Sequence, residues 1–314
     1  MAGIALVLNP LAKQHARDPS LADRLARVLG DEGVVRPVAT FEQLSTVVDE
    51  IRTRSFDVIA IAGGDGTNHT VLTHVARAYG GQPLPHIALL RGGTMNTTAN
   101  SFGIPRRRPE ALLASCKRAY QQRFIAPMRF VEPHLLRAGD RYGFIFGTGA
   151  IHGFIAEYNT RAVRSAAWAA RVLLTAVGSA AVGGETIRRV APRWEGSVRF
   201  DDGTAFPDRD YLTVGASTCA QIGLGFKPFY RSHERADHLH VLGIHCSAAE
   251  FVTGLPKIWR GQPLGGERTY EQLCRTATLI PRYDEVAFTI DGDVYVQRGE
   301  LEVACGPRVR VLVG

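Results

Sequence analysis

The sequence predicts an α/β fold in its first third, followed by a β-rich region that fills the remainder. Three observations carry this reading. Short apolar runs alternate with amphipathic stretches up to about residue 90, and glycine-rich turns directly follow two of those runs. Beyond about residue 123, runs of strand length follow one another with turn residues between them. Alternation of strands and helices implies a parallel sheet covered on both faces, and such sheets bind ligands in the turns beyond the strand C-termini. Successive strands without helices suggest an antiparallel sandwich or flattened barrel. The expected division places the α/β domain in residues 1–126 and the β-rich domain in 127–314.

Taken in order, the apolar run 4–8 reads as a buried first strand. Residues 20–29 read as a helix capped by Ser20, 34–39 as a strand, 41–54 as a helix and 57–62 as a strand. A helix over 67–79 and a strand over 86–90 continue the alternation. Strands are then expected over 124–130, 134–138, 142–148, 197–200, 211–214 and 238–244, and again over 285–290, 294–296 and 301–304. One long helix over 161–181 is the main exception. There is no internal repeat and no low-complexity tract.

A chain of 314 residues suffices for two ordinary domains, and 45% hydrophobic with 21% charged residues excludes a disordered protein. The net charge of +7 favours an anionic partner: nucleotide phosphates, acidic lipid or nucleic acid. Specific nucleic-acid binding is disfavoured, since no recognisable module or aromatic–basic interleaving occurs. Five widely spaced cysteines without a CxxC pair fit a reduced, cytoplasmic compartment. The opening MAGIALVLNP carries no positive leader, which reads against a signal peptide. The Ala- and Val-rich stretch 165–184 contains Arg171, and a central Arg costs roughly 2.5–3.5 kcal/mol on insertion scales. That reads against a membrane span.

The strongest local signal is Gly63-Gly64-Asp65-Gly66-Thr67, between an apolar strand and a helix. Glycines let the backbone approach a bulky anion, and the helix N-terminus offers free N–H groups and a positive dipole end. The plainer reading is a tight strand-to-helix turn; position, Asp and Thr favour a phosphate cradle, with Asp65 orienting a metal or fixing the loop. A second turn, Arg91-Gly92-Gly93-Thr94-Met95-Asn96, follows the next strand and could converge on the same anion. Thr94 or Asn96 is also a candidate helix cap. A third signal, Asp291-Gly292-Asp293, suits general-base activation of a hydroxyl but is equally a favoured hairpin turn.

Other chemistries are disfavoured. There is no GxxxxGK[ST], no G-x-S-x-G and no HExxH, and residues 147–153 are one residue too long for GxGxxG. His238 and His240 share a face of an expected strand, yet no partner pair with ligand spacing accompanies them. They read as partly exposed strand histidines.

Together, GGDGT at 63–67, GGTMN at 92–96 with the tail Ala99 and Phe102-Gly103-Ile104-Pro105, and the late Asp291-Gly292-Asp293 resemble the diacylglycerol kinase catalytic family. Its superfamily includes sphingosine kinases and, more remotely, NAD kinases. Asn9-Pro10 is similar to the family's NPxSG element, and Gly223-Leu224-Gly225-Phe226-Lys227-Pro228 to its GGGFK-x-AP stretch. The resemblance runs in family order from Asn9 to about Val313.

What the resemblance implies is a nucleotide cleft between an α/β kinase domain and a β-rich substrate domain. ATP would be the substrate, Mg2+ the cofactor, and a diacylglycerol- or sphingosine-like lipid alcohol the acceptor. By position Asp291 matches the family's catalytic base. Asn9, Thr40, Gly63, Gly64, Asp65, Gly66, Thr67, Asn68, Gly93, Thr94, Asn96 and Asp293 fall at ATP-binding positions, with Asp65 and Asp293 as the implied metal residues. Alternatives are a kinase for another hydroxyl such as that of NAD, and a non-catalytic nucleotide- or lipid-binding member of the fold.

The sequence departs from the family at several points. Leu11-Ala12-Lys13 stands where NPxSG has its Ser and Gly, leaving Lys13 to reach a phosphate. Arg91 replaces a Pro, Thr97 an Asp, and His238 lies where an acidic turn belongs. Arg161, Arg164 and Arg171 make the expected helix 161–181 basic and amphipathic. Such a helix either docks transiently on the acidic inner face of a membrane or packs its apolar stripe on its own domain. Arg106-Arg107-Arg108 reads as a solvated connector. A homodimer is compatible with all of this.

Overall fold

The computed structural model describes residues 3–12, 15–125, 129–161, 165–180 and 184–313. The elements run β1 (Ile4–Leu8), α1 (Leu21–Leu29), β2 (Gly33–Pro37), α2 (Phe41–Thr53), β3 (Val58–Ala62), α3 (Asp65–Tyr79), β4 (His86–Leu89), α4 (Thr97–Ser101), α5 (Pro109–Gln121) and β5 (Phe130–Val131). They continue with β6 (His134–Ala138), β7 (Arg141–Gly143), β8 (Ile145–Thr148), α6 (Gly149–Asn159), α7 (Ala166–Ala180), α8 (Glu185–Val190), β9 (Trp194–Phe200), β10 (Ala205–Tyr211) and β11 (Thr213–Ser217). Then come β12 (Leu239–Ile244), α9 (Ala248–Trp259), β13 (Thr269–Cys274), β14 (Thr276–Pro281), β15 (Glu285–Ile290), β16 (Asp293–Arg298), β17 (Leu301–Arg308) and β18 (Val311–Leu312). The chain divides into two units, Met1–Pro133 with Pro307–Gly314, and His134–Gly306. The second segment of the first unit is a C-terminal return, which a single cut after residue 126 does not capture.

The first unit is built on one sheet in the order β2-β1-β3-β4-β18-β5. Strands β1 to β4 are parallel, and β18 joins β4 in parallel through Val311 and Ile87. Every residue of β1 and β3 is buried, as expected for central parallel strands covered on both faces. Helix α1 buries Leu21, Leu25 and Leu29 at a spacing of four, while α2 buries Leu44, Val47, Val48 and Ile51. Thr40 caps α2, its hydroxyl accepting from Gln43 N at 3.3 Å. These helices leave the C-terminal ends of β1, β3 and β4 open, and the segments that follow those ends carry the glycine turns.

A charge cluster ties β2 to α2. Arg36 donates to both Glu50 oxygens, at 2.8 and 2.6 Å, and Arg54 donates to Oε1 at 2.8 Å. The Arg36 guanidinium holds the Glu50 carboxyl down from an ordinary 4.5 to about 2. Because the folded value is depressed, the contribution is full above the unfolded value and is lost as pH falls from 4.5 towards 2. Partial exposure limits it to about 1 kcal/mol. Glu50→Gln should therefore lower Tm at pH 7, and the gap from the parent should close across that acidic window. A gap independent of pH would show that the charge contributes nothing.

The second unit pairs two six-stranded antiparallel sheets, β10-β9-β14-β17-β6-β7 and β13-β12-β11-β8-β15-β16. One core lies between them, with Phe146, Val214, Leu239, Val241, Phe288 and Ile290 from one sheet. Trp194, Val198, Phe200, Leu279, Leu301 and Val303 come from the other. The alternation of β9, buried at every second residue, is the period-two pattern of a sandwich strand. The expected mixed fold, an α/β unit followed by a β-rich sandwich, is the fold observed.

Several elements differ from expectation. Ser20 does not cap α1; its hydroxyl donates to Asp18 at 2.9 Å and accepts from Arg24. No strand covers the described part of 124–130 before Phe130, because Arg123 and Phe124 take positive φ. The Phe124 ring instead packs on His86, Tyr120 and Phe130. Residues 142–148 break into β7 and β8, and the chain then turns into helix α6, whose Gly149 lies with φ 56°. Helix α7 begins at Ala166, so Arg161 precedes it, and Arg164 lies outside the described residues. Helix α9, opened by a Ser247–Glu250 capping box, and strands β13 and β14 were not anticipated. His238 precedes β12 and bonds Asp237 at 2.8 Å, whereas His240 is fully buried between the rings of Phe229 and Tyr230. The reading of both as partly exposed strand residues therefore fails for His240. Arg106, Arg107 and Arg108 are exposed.

Candidate functional site

In the first unit, the segments after β1, β3 and β4 meet at one edge of the sheet. The turn after β3 is joined to the turn after β4 backbone to backbone, Gly92 N donating to Gly63 O at 2.6 Å. Side chains are sterically excluded from this junction. A Cβ on Gly93 would lie 2.4 Å from Gly64 Cα, and one on Gly64 would lie 2.9 Å from Gly93 Cα. A Cβ on Gly63 would meet Thr67 at 2.4 Å. These glycines are required by contact with neighbouring atoms, quite apart from φ.

Helix α3 starts immediately at Asp65, with Gly64 as its extended N-cap. A glycine cap brings no side-chain acceptor, so the first-turn N–H groups of Asp65, Gly66 and Thr67 have no cap of their own. They point out of the helix beside two turns stripped of side chains. Backbone donors at a positive dipole end, with room for a bulky ligand, constitute an anion-binding arrangement.

The polar residues of the edge hold it in shape. Asn9 sits at the end of β1, where its Nδ2 donates to Thr67 Oγ1 at 3.0 Å and its Oδ1 accepts from Leu11 N at 2.9 Å. Asn96, at φ 48°, clamps its own turn: Oδ1 accepts from Gly93 N at 3.1 Å and Nδ2 donates to Gly93 O at 2.8 Å. Asn tolerates this left-handed backbone better than most residues do. Neither Thr94, which is exposed, nor Asn96 caps α4 by a side-chain bond. That function falls to Asp65, whose two oxygens accept from Thr97 N at 2.9 Å and Thr98 N at 3.1 Å. Burial pushes the Asp65 carboxyl above the usual carboxylate range, while those two N–H groups and Arg91 pull against the rise. Asp65 is thus a strut between the two turns.

Arg91, at φ 42°, locks the far side of α4 by donating to Asn100 Oδ1 at 2.8 Å and Ile104 O at 2.6 Å. Burial, then the neighbouring Arg106, lowers its pKa. Asn68 is 4% exposed in the first turns of α3, its Oδ1 lacking a hydrogen-bond partner. His15, also 4% exposed, was not singled out in the sequence; its Nδ1 bonds Asn9 O at 2.8 Å. Lys13 lies outside the described residues. Asn9, the 63–68 turn, Gly93, Thr94 and Asn96 are therefore brought to one edge, with Thr40 opening α2 after the neighbouring strand β2.

In the second unit, Asp291-Gly292 forms a two-residue hairpin between β15 and β16, with φ of 48° and 98°. Positive φ at both central residues is the type I′ signature, which Asp-Gly favours. The Asp291 carboxylate is nevertheless built in. Oδ1 accepts from Phe144 N at 3.1 Å and Ile145 N at 2.9 Å, and Oδ2 from Phe144 N at 3.0 Å. Asn159 Nδ2 bonds Gly292 O at 3.0 Å. A Cβ on Gly143 would stand 2.7 Å from Asp291 Oδ2, so that glycine makes room for the carboxylate. Asp293 begins β16, and its carbonyl accepts from Thr289 Oγ1 at 2.7 Å.

The donor set does not fit a protein-held magnesium ion. Both Asp65 oxygens serve N–H groups, Thr97 brings no carboxylate, and the described residues contain no group of three or more His, Cys, Asp or Glu placed to hold a metal. Magnesium carried on nucleotide phosphates needs no such cage.

Comparison with known proteins gives one family match and a set of similar folds. Residues 3–126 match the diacylglycerol kinase catalytic domain, which bears out the resemblance carried by the glycine turns. No curated protein matches the chain. Among solved structures, the chain is similar to a diacylglycerol kinase from Bacillus anthracis str. Sterne at 15% identity and a TM-score of 0.65, covering 100% of this chain and 97% of that one. A second, provisionally assigned diacylglycerol kinase from the same organism gives 13% identity and a TM-score of 0.70 with the same coverage. At such identities the likeness establishes the fold.

Proposed function

We propose that this protein is a kinase that transfers the γ-phosphoryl group of ATP to the hydroxyl of a diacylglycerol- or sphingosine-like lipid alcohol. The observation that carries the reading is the side-chain-free junction of Gly63, Gly64, Gly92 and Gly93 at the N-terminus of α3, inside the matched catalytic domain. Uncapped N–H groups at a dipole end suit a triphosphate, which is bulky, anionic and rich in acceptors. Asn9, Thr67 and Asn96 hold the cradle, with Thr94 at its exposed rim.

In this reading Asp291 accepts the proton of the acceptor hydroxyl as its oxygen attacks the γ-phosphorus. The new O–P bond forms, the bridge to the β-phosphate breaks, and ADP leaves. Phosphoryl transfer asks little covalent chemistry of the protein, so positioning supplies most of the rate. Any magnesium belongs to the nucleotide.

The second unit offers a surface suited to lipid. Leu174 on α7 and Trp259 on α9 are 69% and 57% exposed, and Arg171, Lys227, Lys257 and Arg260 are exposed as well. Apolar side chains among cations suit transient contact with an anionic bilayer from the cytoplasmic side. Among the described residues no helix is long and apolar enough to cross a membrane.

The test is transfer from γ-labelled ATP with magnesium to diacylglycerol, sphingosine and other lipid alcohols in neutral or anionic vesicles, with NAD as a water-soluble acceptor. Label in a lipid, faster on anionic vesicles, is expected. Label in NAD alone would move the protein to the alternative acceptor class, and ATP binding without transfer would favour a non-catalytic role.

A further inference from the structure

Among the buried polar groups of the first unit that the proposed chemistry does not use, His15 stands beside the glycine turns. His15 lies on the turn after β1, and only 4% of it is exposed. Its Nδ1 is 2.8 Å from Asn9 O, a carbonyl that can only accept, so Nδ1 must carry a hydrogen. Its Nε2 is buried without a hydrogen-bond partner. Buried polar atoms without partners are uncommon, and each destabilises the fold unless something completes it.

The position of Nε2 points to what completes it. A Cβ on Gly92 would lie 2.6 Å from Nε2, so the ring stands against the turn after β4 at the residue whose N–H bonds Gly63 O. Its other nitrogen grips Asn9, which in turn reaches Thr67 in the first turn of α3. The unpartnered nitrogen is therefore lodged at the phosphate cradle. With Nδ1 committed as a donor, Nε2 can donate to a phosphate oxygen only if the ring is the imidazolium.

We propose that His15 is a phosphate-binding group of this site, its Nε2 taking up a proton and donating to a phosphoryl oxygen when the nucleotide binds. The proposal rests on the kinase reading above. The ring bonds Asn9 O and stands against Gly92, whose charged neighbour Arg91 is turned to Asn100 and Ile104. Asp65, next in sequence, faces the Thr97 and Thr98 N–H groups, and Asp18 on the following turn is paired with Arg24. Among the described residues no carboxylate is bonded to the ring. A phosphate would be the anion that stabilises it.

Calorimetric titration of the full chain with ATP, repeated in buffers of different ionisation enthalpy, gives both affinity and protons exchanged. Net proton uptake should accompany ATP binding by the parent. His15→Gln, which cannot titrate, should exchange none and bind ATP roughly ten- to hundred-fold more weakly, as expected for loss of a charged hydrogen bond. Adenosine should bind both proteins alike, without uptake. Should His15→Gln fail to fold, imidazole nitrogen spectra of the parent supply the readout, with protonation of both His15 nitrogens expected only when ATP is present. ATP binding without proton uptake, or equal affinity in a folded His15→Gln, overturns the proposal and leaves the kinase reading intact. Failure of the parent to bind ATP at all overturns both.

Discussion

Gly93→Ala should reduce phosphoryl transfer by about 10²-fold, because it drives the two turns of the cradle apart. The added Cβ would sit 2.4 Å from Gly64 Cα and 3.2 Å from Asn96 Oδ1. The first contact is with backbone, which cannot rotate away as a flexible side chain could. Relief requires the turns to separate, and displacements near 1 Å at groups that position a reacting phosphate cost about that factor in rate. The Asn96 clamp on Gly93 would be strained by the same movement. Overpacking of this kind also destabilises by typically 1–3 kcal/mol, roughly, so a lower Tm is expected beside the lost activity. Gly178→Ala on exposed α7 is the matched control, since nothing lies within 4 Å of its Cβ position. There the change should be neutral or stabilising by up to about 1 kcal/mol, as helix propensity predicts. The measurements are turnover and ATP affinity in both variants. Full activity in Gly93→Ala would mean that the tight junction is a feature of folding alone.

The contrast between these glycines marks what could be read in the sequence. Glycine after a strand signals a turn, and the apolar runs 4–8, 58–62 and 86–89 were legible because buried parallel strands are apolar throughout. That the two turns touch each other depends on β3 and β4 being neighbours in parallel, a long-range fact. The same limit hid Asp65: adjacent to a glycine turn it reads as a ligand, yet its partners lie more than thirty residues away. His15 carried no local signal at all. A lone histidine in a polar loop is unremarkable until Gly92 is found against its ring. By contrast, α9 carries a local signal in its Ser247–Glu250 capping box, while Pro256 interrupts its helical pattern. Strand β13 mixes polar and apolar residues without a clean period, because it is an edge strand whose residues are mostly half-buried.

Asp291→Asn should abolish most of the transfer activity while leaving the hairpin in place. The Asp-Gly pair forms a type I′ turn whatever its chemistry, so geometry alone does not separate a base from a turn residue. The surroundings of the carboxylate suggest how to separate them. An asparagine accepts φ of 48° readily, and its Oδ1 can keep the bonds that Asp291 Oδ1 makes to Phe144 N and Ile145 N. The Oδ2 bond to Phe144 N, at 3.0 Å, would be lost, together with the ability to take a proton. Removal of a general base typically slows a reaction by about 10²–10⁴-fold. Asp291→Asn should show a loss of that size in turnover, with Tm little changed and ATP affinity preserved. Asp291→Ala should lose activity and stability together, since it also strips the acceptors from two backbone N–H groups. If Asp291→Asn instead retains activity while Asp291→Ala loses stability, the carboxylate serves to pin β8 to the hairpin and the proton must leave by another route.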